Sequence, residues 1–306
     1  MLARQLILRL AVLAASTLFV VSSEAQAWKS QYPELVFAVV PAENASGIIE
    51  RYTPLTEYLT RQLGVPVTLR IVSDYAGVIE GQRNGQIHIG YYSAGSYARA
   101  YLTGVKAEPF AVELNGDGTK SYRSVFYVRK DSPFRTIEDL RGKNLGLVDP
   151  NSTSGSMVPR LELDKMGIEP DKFFGKIIYT GSHENAIIAL KDGTVDVCTN
   201  WWNSEEESNL ALMERKGIPG IKYADFRIVL TSGPIENAPL AYLADLPDDL
   251  KTAIREAIFG MQINDKATFD RLSGGKDRPW VPVTRQDYET AIELVKFVDA
   301  LRKKRS

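Results

Sequence analysis

The feature that most restricts the fold is a recurring unit: a short apolar run, a polar turn, then a helix-like segment. Residues 34–40, 67–72, 87–91, 176–179 and 195–199 are apolar runs of this kind, and Leu145 to Val148 continues the series. Such runs, bounded by turn residues, read as strands buried on both faces. Their alternation with helices implies an α/β protein with largely parallel sheets covered on both sides.

Caps mark the helices. Thr53 followed by Pro54 predicts a helix start; Leu55, Leu59 and Leu63 then share a face, and Gly64 ends it. Asp74 caps a helix reaching Gly85, and another runs from Ser93 to Leu102. Further helices are expected from Thr136, over residues 183–191 with Ala186, Ile187 and Leu190 inward, and over the acidic-starting stretch 204–216. The chain ends in helices over 247–263 and 285–303, the second with Ala291, Leu294, Val295, Val298 and Leu301 at helical spacing for packing.

The break at Asn115-Gly116-Asp117-Gly118 precedes a longer strand at 122–130, which reads as a crossing into a second lobe; residues 226–230 lead back. The expected organisation is an export signal over 1–27, a first lobe over 28–121, a second over 122–228, and a return to the first over 229–306. The signal has Arg4 and Arg9, an apolar stretch from Leu10 to Val21, and Ala25-Gln26-Ala27 before Trp28. No cysteine follows the cleavage site to carry a lipid anchor, and no later run approaches transmembrane length, so the mature chain is expected to be soluble and exported. Removing the signal's two Arg and one Glu changes the net charge from −1 to −2, a balance that argues against a nucleic-acid partner. Cys198 is the only cysteine and sits in an apolar run, so it reads as an inert core thiol, and stability must come from a large core.

The polar strand-to-helix turns carry the functional signal. Asn144 to Gly155 pairs an apolar strand with the hydroxyls Ser152, Thr153 and Ser154 where a helix begins. The first N–H groups of a helix lack internal partners and sit at the positive end of its dipole, so such a turn suits a small oxyanion. Pro159 would kink a continuous helix, which makes the first turn a separate element. Tyr75, Tyr92 with Ser93, and His183 occupy equivalent turns. At the carboxyl edge of parallel sheets these turns would meet where ligands bind. Each also has a plain explanation: serines cap helices, tyrosines anchor cores, and a histidine caps.

Asp74-Tyr75-Ala76-Gly77-Val78-Ile79, Asp149-Pro150-Asn151-Ser152-Thr153-Ser154-Gly155 and Ser182-His183-Glu184-Asn185-Ala186 together resemble the periplasmic phosphonate-binding (PhnD-like) family over residues 34–240. The resemblance implies a two-lobe periplasmic binding protein of the type II solute-binding fold with two hinge strands, working as the solute-binding subunit of an ABC importer for a phosphonate, phosphite or related anion. It implies that Tyr75, Tyr92, Ser152, Thr153, Ser154 and His183 hold the phosphonate oxygens. It implies a permease as partner, membrane contact only through that permease, a monomer, and no cofactor. The residue types agree, since hydroxyls, amides, imidazole and phenols all donate hydrogen bonds.

The chain departs from the family where acids would surround a ligand ammonium group: those positions fall on Asn203, after Trp201-Trp202, and on Ala238. Asn203 is therefore a further expected ligand contact. An apolar wall there would favour phosphite or a small alkylphosphonate, unless Glu205, Glu206 or Glu236 restores an amine site. Two other functions fit less well. A sensor subunit would share the fold. A hydrolase built on Ser154 and His183 lacks a nucleophile-elbow pattern, and two histidines do not suggest zinc, so neither catalytic residues nor a metal is expected.

Overall fold

The computed structural model describes residues 27–273 and 279–303. The expected export signal, apart from its last position, lies outside the described residues. The strands are β1 (Leu35–Val39), β2 (Val67–Arg70), β3 (Ile89–Tyr91), β4 (Ala107–Glu113), β5 (Ser121–Arg129), β6 (Asn144–Leu147), β7 (Lys176–Tyr179), β8 (Val197–Trp202), β9 (Phe226–Glu236), β10 (Pro239–Leu243) and β11 (Trp280–Pro282). The helices that matter here are α1 (Ala45–Leu63), α2 (Tyr75–Arg83), α3 (Ala94–Leu102), α4 (Val158–Lys165), α5 (His183–Lys191), α6 (Asn209–Arg215), α7 (Asp248–Asn264), α8 (Lys266–Ser273) and α9 (Glu289–Lys303).

Two sheets make two lobes. The first has the order β11-β4-β10-β3-β1-β2 and the second β7-β6-β8-β5-β9. In the first, β1 runs parallel to β2 and β3, while β10 runs antiparallel to β3 and β4. In the second, β6 is parallel to β7 and β8, while β5 is antiparallel to β8 and β9. The chain changes sheet between Glu113 and Ser121 and again between Glu236 and Pro239. The parallel strands are the apolar runs seen in the sequence, and all of β1 is buried. Helix α9 packs on α3 of the first lobe and on α4 of the second, so it spans both.

Several expectations change. Helix α1 starts at Ala45, not Thr53. Asn44 is its cap, with Oδ1 accepting from Gly47 N at 2.9 Å, and Pro54 lies inside the helix. A proline forfeits one internal bond, but the buried face of Ile48, Tyr52, Leu55, Leu59 and Leu63 runs straight through it, and that packing outweighs the loss. The segment from Thr136 forms only a 3-10 turn, Glu138–Leu140, because Asp139 Oδ2 accepts from the backbone of both Arg135 and Thr136. The acidic segment helix begins late, at Asn209 with Ser208 as cap, because residues 204–207 close a turn of their own. Strand β8 continues through Trp202, and β9 stays in the second sheet to Glu236. Strands β4, β10 and β11 had no expectation; all three pair antiparallel, outside the strand–helix alternation. Cys198 is fully buried, and burial pushes its thiol up, as an inert core group requires.

The cap assignment has a direct check. Asn44→Ala should cost about 1 kcal/mol in chemical denaturation, whereas Thr53→Ala should change stability by less than about 0.5 kcal/mol.

Candidate ligand-binding site

A cavity of about 210 Å³ lies between the lobes, and Tyr75, Tyr92, Ser93, Ser152, Ser154, His183 and Asn203 all line it. The carboxyl-edge turns therefore do converge. Each is held open by its own cap: Asp74 Oδ1 accepts from Gly77 N at 2.8 Å, Ser93 Oγ from Ser96 N at 3.3 Å, Ser152 Oγ from Gly155 N at 3.1 Å and Ser182 Oγ from Asn185 N at 3.1 Å. Ser152 is thus both a cap and a cavity residue.

The hydroxyl turn is a separate element, as Pro159 implied. Thr153–Met157 forms a π-helical turn, and the α-helix with Pro159 starts only at Val158. Gly155 allows the tight return: a Cβ there would lie 2.4 Å from Val148 Cβ and 2.7 Å from Ser152 Oγ. The turn's carbonyls are taken up from the second sheet, Ser154 O by Ser124 Oγ at 2.6 Å and Gly155 O by Thr199 Oγ1 at 2.8 Å.

The phenols have distinct duties. Burial raises the Tyr75 phenol, while a bond to Ser152 opposes the shift. Burial likewise pushes Tyr122 up to about 12, against bonds from Ser154 and Thr153. Both stay protonated at neutral pH and remain donors. Tyr92 differs from expectation: its hydroxyl donates to Gln82 Oε1 at 2.7 Å, and Gln82 Nε2 donates to Ala241 O at 3.1 Å, so only its ring borders the cavity. Thr153 also departs. It is fully buried, does not line the cavity, and its Oγ1 accepts from Gly95 N of α3 at 2.7 Å, a bond between the lobes.

His183 opens α5, with Nε2 3.5 Å from Ser152 Oγ. Its Nδ1 is buried with no hydrogen-bond partner among the described residues. Burial lowers its pKa to about 3, only partly offset by Asn200, so the ring is neutral and offers one N–H and one acceptor. Asn203 Nδ2 donates to Glu207 Oε2 at 3.0 Å. Along β8, successive side chains point to opposite faces: Trp201 lines the cavity, while Trp202 turns to Tyr223, its Nε1 donating to the hydroxyl at 3.2 Å.

Sequence reasoning missed the charged part of the lining. Glu43, Arg51, Glu113 and Glu207 all border the cavity, and Arg51 Nη1 lies 3.0 Å from Glu43 Oε1. Three carboxylates against one guanidinium leave a formal charge of −2 among these side chains. Burial works against the charge on Arg51, but Glu43, Tyr52 and Glu113 outweigh it and raise its pKa. The expected substitutes do not line the cavity; Glu205 and Glu206 are exposed. No pattern in the sequence singled out Glu43, Arg51, Glu113 or Tyr122. Glu207 was hidden in a stretch read as helix. Among the described residues no group of His, Cys, Asp and Glu could hold a metal, and no helix is long and apolar enough to cross a membrane.

The profile of a family described as "ABC transporter, phosphonate, periplasmic substrate-binding protein" matches residues 37–288. The chain is 29% identical to the phosphonates-binding periplasmic protein of Escherichia coli, over 83% of this chain and 72% of that one. It is 28% identical to the phosphate-import protein PhnD of Mycolicibacterium smegmatis, over 84% of each. In fold it is similar to a Prochlorococcus marinus protein solved with methylphosphonate, with a TM-score of 0.75 and 19% identity, over 87% of this chain and 98% of that one.

The neutral imidazole gives a pH prediction. The unfolded histidine takes up a proton near pH 6.5, whereas the folded one resists to about 3. Between those values the unfolded state binds more protons, so stability falls as pH falls, by at most about 1.4 kcal/mol per pH unit. The His183 ring shifts in NMR should stay flat from pH 8 to 5, and His183→Asn should remove its share of the acid slope.

Proposed function

We infer, from the premise that this chain belongs to the phosphonate substrate-binding family of ABC transporters, that it takes a phosphonate with a cationic substituent and passes it to a permease from the periplasm. The phosphorus oxygens would sit against Ser152, Ser154, Tyr75, Tyr122, the His183 ring and the first-turn amides. The substituent would extend towards Glu113, Glu207 and Asn203, beside Trp201. The lobes would close by bending in residues 114–120 and 237–238, where Asn237 donates its side-chain amide to Glu113 O and Asn115 Oδ1.

The observation that carries this reading is the charge of the lining. A phosphonate placed about 4 Å from one of these carboxylates meets repulsion of about 4 kcal/mol per charge pair at an effective dielectric of 20. An ammonium on the ligand itself reverses the sign where the carboxylates are. This changes the selectivity expected from Asn203 and Ala238 alone: the acids come from Glu113 and Glu207 instead, so the wall is not apolar. Size supports the same reading. At about 210 Å³ the cavity exceeds the roughly 150 Å³ that accepts benzene, more than bare phosphite fills.

Binding is favoured over hydrolysis by the imidazole itself. A catalytic histidine is oriented by a carboxylate on its second nitrogen, and no such group contacts His183 Nδ1.

Titration calorimetry in one buffer tests the reading. Aminoethylphosphonate should bind at least tenfold, about 1.4 kcal/mol, more tightly than ethylphosphonate, with phosphite and phosphate weaker still. Glu113→Gln or Glu207→Gln should narrow that gap. Equal binding of the two phosphonates, or a lead for phosphite, would overturn it.

A further inference from the structure

We propose that Lys216 is the latch that holds the two lobes closed, a positioning residue that sets ligand affinity without touching the ligand. It follows α6 in the second lobe and is not part of the cavity lining. Its Nζ lies 2.5 Å from Glu43 Oε2 of the first lobe and 3.3 Å from Glu184 Oε1 of the second. Glu43 and Glu184 are 7% and 1% exposed, so two carboxylates, one from each lobe, are buried on one ammonium.

The surrounding contacts converge on the same closure. Glu184 Oε2 accepts the Asn44 N–H at 2.8 Å, and Ala42 O accepts the His183 N–H at 3.0 Å. Residues 42–44 of the first lobe are thereby docked on the start of α5, beside the ring expected to meet the anion. The other oxygen of Glu43 holds Arg51, which borders the cavity, so one carboxylate joins the latch to the site. Opening must break the three that cross between the lobes, Lys216 with Glu43, Asn44 N–H with Glu184 and His183 N–H with Ala42 O, and exposes the charges to water.

Removing the ammonium has unequal effects on the two states. In the closed state it leaves Glu43 and Glu184 buried without the cation they share, which is strongly unfavourable. In the open state both are solvated and little changes. A variant lacking this cation must therefore shift towards open, and the apparent affinity of a closed-state ligand falls in proportion to the population lost.

The test compares Lys216→Met, Lys216→Arg and the unmodified protein by small-angle scattering, calorimetry and stopped-flow release of aminoethylphosphonate. Lys216→Met should show a larger radius of gyration without ligand, about tenfold weaker binding, and a faster release rate with nearly unchanged association. Lys216→Arg should restore all three, and Glu184→Gln should give a smaller loss that is not additive with Lys216→Met. A structural role alone would lower the melting temperature and leave the release rate and radius unmoved. Lys216→Met with wild-type radius and release would overturn the latch, as would an equal loss in Lys216→Arg. The ligand-free radii judge the latch even if aminoethylphosphonate does not bind; that failure would count against the proposed ligand alone.

Discussion

A buried oxyanion has to be met by donors, and in the proposed reading this cavity would meet it with dipoles rather than charges. The side chains gathered at the hydroxyl turn are serines, protonated phenols and a neutral imidazole, with capped helix starts behind them. Each cap uses a side-chain oxygen on one first-turn amide, so the backbone is fixed while other amides stay available. The rigidity of the turn is inherited from the second sheet, through Ser124 and Thr199, and from Gly155, where a Cβ would meet Val148 and Ser152. Thr153 serves the same end differently, tying the turn to α3 across the cleft.

The charged lining complements this arrangement. Among the described residues Arg51 is the one cation on the cavity wall, and it is already matched by Glu43 and influenced by Glu113. A phosphonate placed there would face carboxylates on either side. This is why the proposed reading puts the anion at the neutral turn and a cation of the same molecule at the acids. Glu43 has a second task, because its other oxygen meets Lys216 at the rim. One carboxylate thus joins Arg51 on the cavity wall to Lys216.

What the sequence made legible was whatever follows from local pattern. Parallel strands stood out as apolar runs, and the turns after them share one sheet edge by topology, so Tyr75, Ser152, Ser154 and His183 line one cavity. Patterns set by distant partners stayed hidden. Strands β4, β10 and β11 pair antiparallel with elements far along the chain, and Glu113 at the end of β4 went unseen with them. Tyr122 gave no sign because its strand alternates weakly. Pro54 suggested a helix start by its usual preference, but the packed face of α1 overrode it. The family resemblance implies a ligand role for Tyr92, but its hydroxyl donates to Gln82, a partner inside the first lobe that no local pattern marks.

A crystal structure with aminoethylphosphonate bound would decide the central claim through orientation. The phosphorus oxygens are expected within about 3 Å of Ser152, Ser154 and the His183 ring, with the nitrogen towards Glu113 and Glu207. The opposite orientation, with the phosphonate on Arg51 and the amine at the hydroxyl turn, would contradict it.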